Sequence, residues 1–182
     1  MFSMRKIQEQ VIYDAVKEAG GEKAASEIVF GKEESARSES DPAWVQSTMC
    51  RLEEAFDGET VKRIRMRCQC GYGMDEKLAL LQELMQTATS METLAGSEKA
   101  RAAGLSCKDG QLYLQFAFCP CPMLAEVRRL ESMTWCACSA GYSKVLFEKA
   151  FGCEVDVTML KSIKCGDDIC LMKILPKENI WK

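Results

Sequence analysis

Apolar residues recur at helical spacing through most of the first 104 positions of the chain. In residues 4–16 they form one stripe, and the pair Gly20-Gly21 predicts the end of that helix. Asp41 predicts the start of a second helix, because its carboxylate can cap a helix and Pro42 suits the first helical position. The N-terminal part of the chain is therefore predicted to be helical.

Three further helices are predicted before the pattern changes to that of strands. Asp57-Gly58 ends the second helix, and Thr60 is the predicted cap of a short basic helix that leads into the first cysteine pair. Asp75 is the predicted cap of the next helix, and residues 91–103 contain another. Each of these helix predictions is based on a cap residue followed by apolar residues at helical spacing.

The last third of the chain has the alternating pattern of strands. Residues 105–119 alternate around a Lys-Asp-Gly turn, which is typical of a hairpin. A helix is predicted over residues 142–151 and is ended by Gly152, and a second hairpin follows with its turn at 166–168. Helices followed by the order β-β-α-β-β predict an α+β fold, in which a twisted antiparallel sheet packs on helices.

The predicted organisation is a single domain over residues 1–182, which is enough chain for a sizeable core. Within it, residues 1–40 form a helical N-terminal extension. A flexible connection is predicted at 31–42, because that segment is polar and rich in turn-forming residues. Residues 43–104 form the helical part, and residues 105–176 form the antiparallel sheet with one helix.

Composition excludes several classes of protein. The net charge of -3 and the hydrophobic fraction of 47% indicate a globular domain and argue against a protein that binds nucleic acid. No apolar run approaches the ~20 residues of a membrane span, and the charged N-terminus lacks the apolar centre of a signal peptide. The chain has 11 cysteines and no histidine. We therefore predict a cytosolic protein without a Ser-His-Asp triad, a Cys-His dyad or a histidine-bound zinc.

Six of the cysteines form three Cys-x-Cys pairs. Because side chains alternate along a strand, two residues separated by one can face the same ion. Four thiolates at ~2.3 Å from a metal satisfy zinc or an iron-sulfur cluster, and zinc is the preferred prediction because it can fix loops structurally. The predicted metal or redox site consists of Cys68, Cys70, Cys119, Cys121, Cys136 and Cys138.

Packing is the main alternative explanation for these thiols, since free cysteine is among the most buried residue types. Cys50, Cys107 and Cys153 are assigned to packing. Cys165 and Cys170 flank the last turn, where a disulfide is geometrically conceivable but disfavoured in a reducing compartment. A redox role is a further alternative, because the arginines just before the first cysteine pair would lower a thiol pKa.

A small-molecule site is predicted from cations and aromatic side chains near the cysteine pairs. Arg63 and Arg67 can attract the carboxylate or phosphate of an anionic ligand, although a solvated basic surface explains them equally well. Trp135 and Tyr142 can line an apolar pocket, although each ring also suits a core or its rim. These four residues are the predicted ligand-binding set.

The last third of the chain also resembles a known family. It is similar to the end of 4-vinyl reductase-type small-molecule-binding domains and of the related aminothiazoline-carboxylate hydrolase-like proteins. The resemblance implies a TRAPP-subunit-like α+β fold and a sensor or carrier of small organic ligands, in some cases with a cysteine-bound metal. The segments "CQCGYG" and "CPCP" are similar to a cysteine-rich branch of unknown function. The residues that carry the resemblance are Gly141-Tyr142, Phe151-Gly152, Gly166, Asp167 and Cys170.

Three functional hypotheses follow. The first is a binding module for a small organic ligand, a thiolate-bound metal, or both. The second is a cysteine-dependent hydrolase acting on a small cyclic amidine or amide, as the resemblance implies, whose base would be a carboxylate, Lys144 or a metal-bound water. The third is a structural module that forms a homodimer through its helices. None of the three involves nucleic acid or a membrane.

Overall fold

The structure is a computed structural model that describes residues 3–32 and 39–181. Within these residues the chain forms seven α-helices and one four-stranded antiparallel sheet, and most of the helices precede the strands. The predicted α+β class and the order β-β-α-β-β are confirmed. The elements are α1 (Met4–Phe30), α2 (Asp41–Ala55), α3 (Gly58–Arg67), α4 (Met74–Met85), α5 (Met91–Gly96), α6 (Glu98–Ala102), β1 (Leu105–Lys108), β2 (Gln111–Phe116), α7 (Ala137–Phe151), β3 (Val155–Lys161) and β4 (Cys170–Pro176).

The described chain forms two compact units, each built from two segments. The first unit contains Met1–Cys70 and Pro120–Gly141 and includes α1, α2 and α3. The second unit contains Gly71–Cys119 and Tyr142–Lys182 and includes α4, α5, α6 and the sheet. Helix α7 begins in the first unit and continues into the second. The single domain predicted from chain length remains a prediction.

Helix α1 is longer than the sequence pattern predicts. It continues through the Gly20-Gly21 pair to Phe30, with a kink at Gly21, whose φ of 85° lies outside the helical region. The predicted end at this pair is therefore wrong. Beyond the kink Ile28 and Val29 are buried, so tertiary packing sustains a helix that the glycines alone would end. Within the described residues, no helix, α1 included, is both long and apolar enough to cross a membrane.

The flexible connection predicted at 31–42 falls only partly on described residues. Residues 33–38 lie outside them, and Asp41 already belongs to α2. The N-cap of α2 is Ser40, and Asp41 stands in the first turn, where its negative charge favours the helix dipole. The prediction that the Asp41 side chain caps this helix is wrong, while Pro42 lies in the first turn as expected.

Two other helix starts differ from their predicted caps. Asp57 caps α3 by accepting a hydrogen bond from the Thr60 backbone nitrogen at 3.0 Å, and the Thr60 hydroxyl donates to the same carboxylate at 2.8 Å. Thr60 is therefore the partner of the cap and not the cap itself. Helix α4 begins after Gly73, so Asp75, its predicted cap, lies in the first turn.

The helix predicted over residues 91–103 is divided at Ser97 into α5 and α6. The Ser97 hydroxyl accepts a hydrogen bond from the Ala100 backbone nitrogen at 3.1 Å and so caps α6. Ser90 and Thr93 form a capping box at the start of α5. Each short helix has its own side-chain cap, and this explains why one predicted helix becomes two.

The core of the first unit is organised around two tryptophans. Trp44 on α2 and Trp135 are each 1% exposed, and their rings meet edge to face with centroids 5.8 Å apart. The indole nitrogen of Trp44 donates to the carbonyl of Val29 at 2.9 Å. Arg5 lies over the Trp44 ring, 5.1 Å from its centroid. The tryptophans therefore join α1, α2 and the segment that precedes α7.

The four strands follow the order β1-β2-β4-β3, and each neighbouring pair is antiparallel. Asp109 and Gly110 join β1 to β2, and their φ values of 52° and 74° suit a type I′ turn. The predicted first hairpin is therefore confirmed. One face of the sheet is buried through apolar pairs in register, such as Leu112 opposite Ile174. The likeness to the TRAPP-subunit fold remains a prediction.

Helix α7 begins at Ala137, ahead of the start predicted at Tyr142, and ends before Gly152 as expected. Gly141 in its first part packs against the end of α3, where an added Cβ would overlap the carbonyl oxygen of Met66. The missing side chain of Gly141 permits a close approach of two helix backbones.

We expect the substitution Gly141→Ala to destabilise the protein by about 1–3 kcal/mol, because the new methyl group forces α3 and α7 apart. The matched control is Gly58→Ala, at the first residue of α3, where no atom lies within 4 Å of the new methyl group. We expect this control to be neutral or slightly stabilising. Urea denaturation followed by circular dichroism measures both free energies of unfolding, and equal stability of Gly141→Ala and the wild type would contradict the close packing.

Candidate thiol site

Five of the six cysteines predicted to form the site lie in the first unit, on two separate stretches of chain. The sixth, Cys119, is the last residue of the segment Gly71–Cys119 and belongs to the second unit. The five in the first unit are Cys68, Cys70, Cys121, Cys136 and Cys138.

Cys68 directly follows α3 and is fully buried. Its sulfur lies 3.1 Å from the carbonyl oxygen of Ile64, one turn back, and 3.7 Å from that of Val11 on α1. Both oxygens are acceptors for the S–H group. Burial raises the pKa of the Cys68 thiol, while the positive charges of Arg65 and Arg67 lower it. The hydrogen bonds and the burial both favour the protonated thiol.

The strand geometry predicted for the two downstream pairs is wrong. Cys138 lies in α7 and Cys136 just precedes it, and residues separated by one are about 200° apart around a helix. Strand β2 ends at Phe116, before Cys119 and Cys121 are reached. Alternation along a strand therefore does not bring the members of either pair together.

Thiols from both stretches of the first unit nevertheless act on the pKa of Cys138. Burial raises the pKa of Cys138 to about 12, and the positive charge of Arg65 opposes that rise. The negative charges of Cys121, Cys68 and Cys70, in that order, raise the Cys138 pKa further. Such effects require that the groups lie near one another. Four of the six predicted cysteines are thus coupled electrostatically through Cys138.

Arg65 is the cation at the centre of this region, and its side chain is fully buried. Its Nε donates to the carbonyl of Thr134 at 3.4 Å, and its Nη2 donates to the carbonyl of Trp135 at 3.0 Å. The guanidinium also stacks on the Trp135 ring, 4.5 Å from its centroid. Among the ion pairs of the described residues, none supplies Arg65 with a carboxylate.

Among the described residues of the first unit, three buried polar atoms have no hydrogen-bond partner. They are Nη1 of Arg65, Nε1 of Trp135 and Oε1 of Gln8. Buried polar groups are nearly always paired, and an unpaired one costs about 1–3 kcal/mol. The first two atoms are donors that belong to a stacked pair of side chains. This part of the first unit is therefore suited to receive an acceptor that carries negative charge.

Arg65 is absent from the predicted site, although its position carries a usable signal. Val61, Ile64 and Cys68 recur at helical spacing and form the buried face of α3. Arg65 falls on that face, whereas Arg63 does not and is exposed. A charged residue on the apolar face of a helix is rarely buried without a function or a partner.

The four predicted ligand-binding residues have different environments. Arg63 and Arg67 are exposed on α3, and Arg67 pairs with Glu18 at 2.5 Å. Trp135 is buried and stacks against Arg65. Tyr142 belongs to the second unit. The structure thus brings Trp135 to Arg65 and leaves the two predicted arginines on the solvent side of their helix.

The donors that we predict for a metal ion in the first unit are cysteine sulfur atoms. Among residues 3–32 and 39–181, no group of three or more His, Cys, Asp or Glu side chains has the arrangement of a metal site. Coordination would therefore require the thiol side chains to rotate toward a common point. Thiolates are the ligands that zinc, copper(I) and iron-sulfur clusters prefer, and zinc remains a prediction.

The three cysteines assigned to packing differ in their burial. Cys50 is exposed on α2, and its thiol donates to the Glu54 carboxylate at 3.5 Å, so the assignment is wrong for Cys50. This hydrogen bond and the negative charge of Glu54 raise the pKa of the Cys50 thiol. Cys107 and Cys153 are half-buried. Cys50 therefore serves as a solvent-exposed reference thiol.

A family model described as "Family of unknown function (DUF6144)" matches residues 1–181. No curated protein and no solved structure matches the chain significantly. The resemblance to 4-vinyl reductase-type and aminothiazoline-carboxylate hydrolase-like proteins receives no support from this match and remains a prediction.

We expect iodoacetamide at pH 8.5 to alkylate Cys50 at least about tenfold faster than Cys68 and Cys138, because the buried thiols react only after local opening. Peptide mass spectrometry at timed intervals measures the three rates. Cys50→Ser is the control and removes only the fast site. Equal rates for all three thiols would show that Cys68 and Cys138 are not buried.

We expect the stability that Cys138 contributes to be lost at high pH in protein kept metal-free with a chelator. The unfolded thiol releases its proton near pH 8.5, whereas the folded thiol keeps it up to about pH 12. Between these values the unfolded state gains stability by about 1.4 kcal/mol per pH unit. Urea denaturation at pH 8 and pH 10 measures the free energies of unfolding of the wild type and of Cys138→Ala. If the difference between these two free energies does not change with pH, the prediction is contradicted.

Proposed function

We propose that this chain, which belongs to the family of unknown function DUF6144, binds a thiophilic metal ion. The ligands would be cysteine thiolates of the first unit. The observation that carries the proposal is that thiols from both stretches of the first unit, together with the buried cation of Arg65, act on the pKa of Cys138. Zinc is the first candidate and an iron-sulfur cluster the second. The ligands come from the five cysteines of the first unit.

The donor set supports this choice of metal. The chain has no histidine, so a metal held in the first unit would be bound mainly through sulfur. Soft thiolate ligands select zinc, copper(I) and iron-sulfur clusters over magnesium, calcium and manganese. Zinc ranks first because it is redox-inert and can connect the end of α3 to the start of α7.

The electrostatics of the region supports metal-dependent deprotonation. Burial raises the pKa of Cys68 and Cys138, so both thiols are protonated at neutral pH in the absence of metal. A bound metal ion replaces those protons and turns neutral thiols into a centre with negative charge. Arg65 provides the opposite charge beside them. In the metal-bound state Arg65 would balance the negative charge of the thiolates, whereas neutral thiols have no such charge.

The remaining hypotheses have weaker support. A cysteine-dependent hydrolase needs a thiolate at neutral pH, and the raised pKa values of Cys68 and Cys138 disfavour such a nucleophile. A small organic ligand and a homodimer remain predictions. We include a cytosolic location in the proposal, because a reducing compartment keeps the thiols available for a metal.

We expect protein purified without oxygen in the presence of zinc to retain about one metal ion per chain, as measured by inductively coupled plasma mass spectrometry. Cys68→Ser and Cys138→Ser should each lower zinc affinity by about 10- to 100-fold, because each removes a buried donor near Arg65. Chelator competition measures that affinity.

Cys50→Ser is the matched control, because Cys50 is an exposed cysteine of the same unit. This substitution should leave zinc affinity unchanged. Wild-type protein that holds no zinc, copper or iron under these conditions would overturn the proposal. Equal affinity of the wild type and both buried-thiol variants would overturn it as well.

A further inference from the structure

The four-stranded sheet of the second unit has a mostly buried inner face and an outer face whose side chains are exposed or half-buried. We propose that this outer face binds the same face of a second copy of the chain. The two sheets pack face to face across a two-fold axis that runs parallel to the strands. The inference is independent of the proposed metal binding, which concerns the first unit.

Strand β4 is apolar on both of its faces. Its inner face consists of three buried residues, Cys170, Met172 and Ile174. Because side chains alternate along a strand, the residues between and after these lie on the outer face. They include Leu171 and Leu175, and Leu175 is 43% exposed. A strand with one solvated face usually alternates apolar and polar residues, whereas a strand covered on both faces is apolar throughout, as most of β4 is.

One row of side chains across the outer face has opposite charges at its two ends. Lys108 on β1 is opposite Gln111 on β2. The register of β2 with β4, continued by one residue, places Gln111 beside Leu175, which is opposite Asp156 on β3. The row therefore runs from a cation at one edge of the sheet to a carboxylate at the other, with an exposed leucine between them.

The adjacent row has an aromatic ring and a cation at its centre. Tyr113 on β2 is opposite Ser106 on β1 and opposite Lys173 on β4, and Lys173 is opposite Thr158 on β3. Among the ion pairs of residues 3–32 and 39–181, none supplies a carboxylate to Lys173 or to Lys108. The outer face thus combines an apolar and aromatic centre with charges at its edges, which is the usual composition of a protein interface.

A two-fold axis parallel to the strands makes both rows complementary to themselves. The sheet order β1-β2-β4-β3 then places β1 over β3 of the second copy and β2 over its β4. Lys108 faces Asp156 of the second copy, and Tyr113 faces Lys173 of the second copy as a ring beneath a cation. An axis perpendicular to the strands would place each strand over itself and would not bring these charges together. Charge complementarity therefore selects the second copy and its orientation.

The carboxylate of Asp156 is accessible for this contact. It pairs with Lys177 of the same chain, and the side chain of Asp156 remains 50% exposed. Lys108 is exposed at the end of β1. The contact occurs twice in the dimer, because the two-fold axis repeats it.

The size of the outer face predicts a weak dimer. Four strands ~4.8 Å apart, with residues ~3.4 Å apart along strands of up to 7 residues, give a flat area of roughly 400 Å² per copy. A standard interface buries about 800 Å² per partner, so we expect a dissociation constant on the order of 10–100 µM. The dimer is therefore expected to form only at high protein concentration.

Sedimentation velocity of the full chain at about 5–300 µM, in a reducing buffer with chelator, tests the inference. The wild type is expected to dimerise across this range. Lys108→Asp and Asp156→Lys should each lower the association constant at least about tenfold, because each creates two contacts between like charges. An equimolar mixture of the two variants should restore association, since each charge then faces an opposite one. Lys108 and Asp156 lie on opposite edge strands of the sheet, so this restoration cannot arise within one chain.

Lys149→Asp is the matched control, because Lys149 is exposed on α7, whose Ser143 contacts Met172 on the inner face. This charge reversal should leave association unchanged. A wild type that stays monomeric over the whole range would overturn the inference. A dimer that neither variant weakens, or weakened variants whose mixture does not associate, would overturn it as well and would assign dimerisation to another surface. Because chelator is present, none of these outcomes bears on metal binding.

Discussion

The buried contact between the Arg65 guanidinium and the Trp135 ring is the interaction on which the first unit depends. Nitrogens of Arg65 bind the carbonyls of Thr134 and Trp135 and so tie the end of α3 to the segment before α7. Trp135 packs edge to face against Trp44, whose indole donates to Val29 on α1. One chain of contacts therefore joins three helices to the stretch that carries the downstream cysteines.

Two opposing effects act on the protonation state of the thiols that interact with Arg65. Burial favours the neutral S–H form and raises the pKa of Cys68 and Cys138, whereas Arg65 favours the thiolate. Without a metal, burial prevails and the cation stays without a counter-charge. A metal ion bound as we propose would displace the protons and leave an anionic centre, and Arg65 would then provide the counter-charge. Arg65 thus links the packing of the first unit to its proposed chemistry.

Adjacent residues in the sequence are enough to predict some element boundaries but not others. The β1–β2 hairpin follows from alternation around Asp109-Gly110, and the end of α7 follows from Gly152, because these features depend on adjacent residues. Helix starts were predicted less well. Asp57 caps α3 where Thr60 was expected, because several residues in a row have suitable side chains and packing selects among them.

Periodicity and composition alone establish the α+β class, the antiparallel hairpins and a thiol-rich chain without histidine. Tertiary structure decides which thiols meet. Cys119 stands two positions from Cys121 yet belongs to the other unit, while Cys68 and Cys138 act on each other across distant parts of the chain. Helical spacing places Arg65 on the apolar face of α3, and tertiary packing buries that face. The physical reason is that burial and charge coupling depend on how the helices pack. Spacing along the chain does not determine which distant segments pack together.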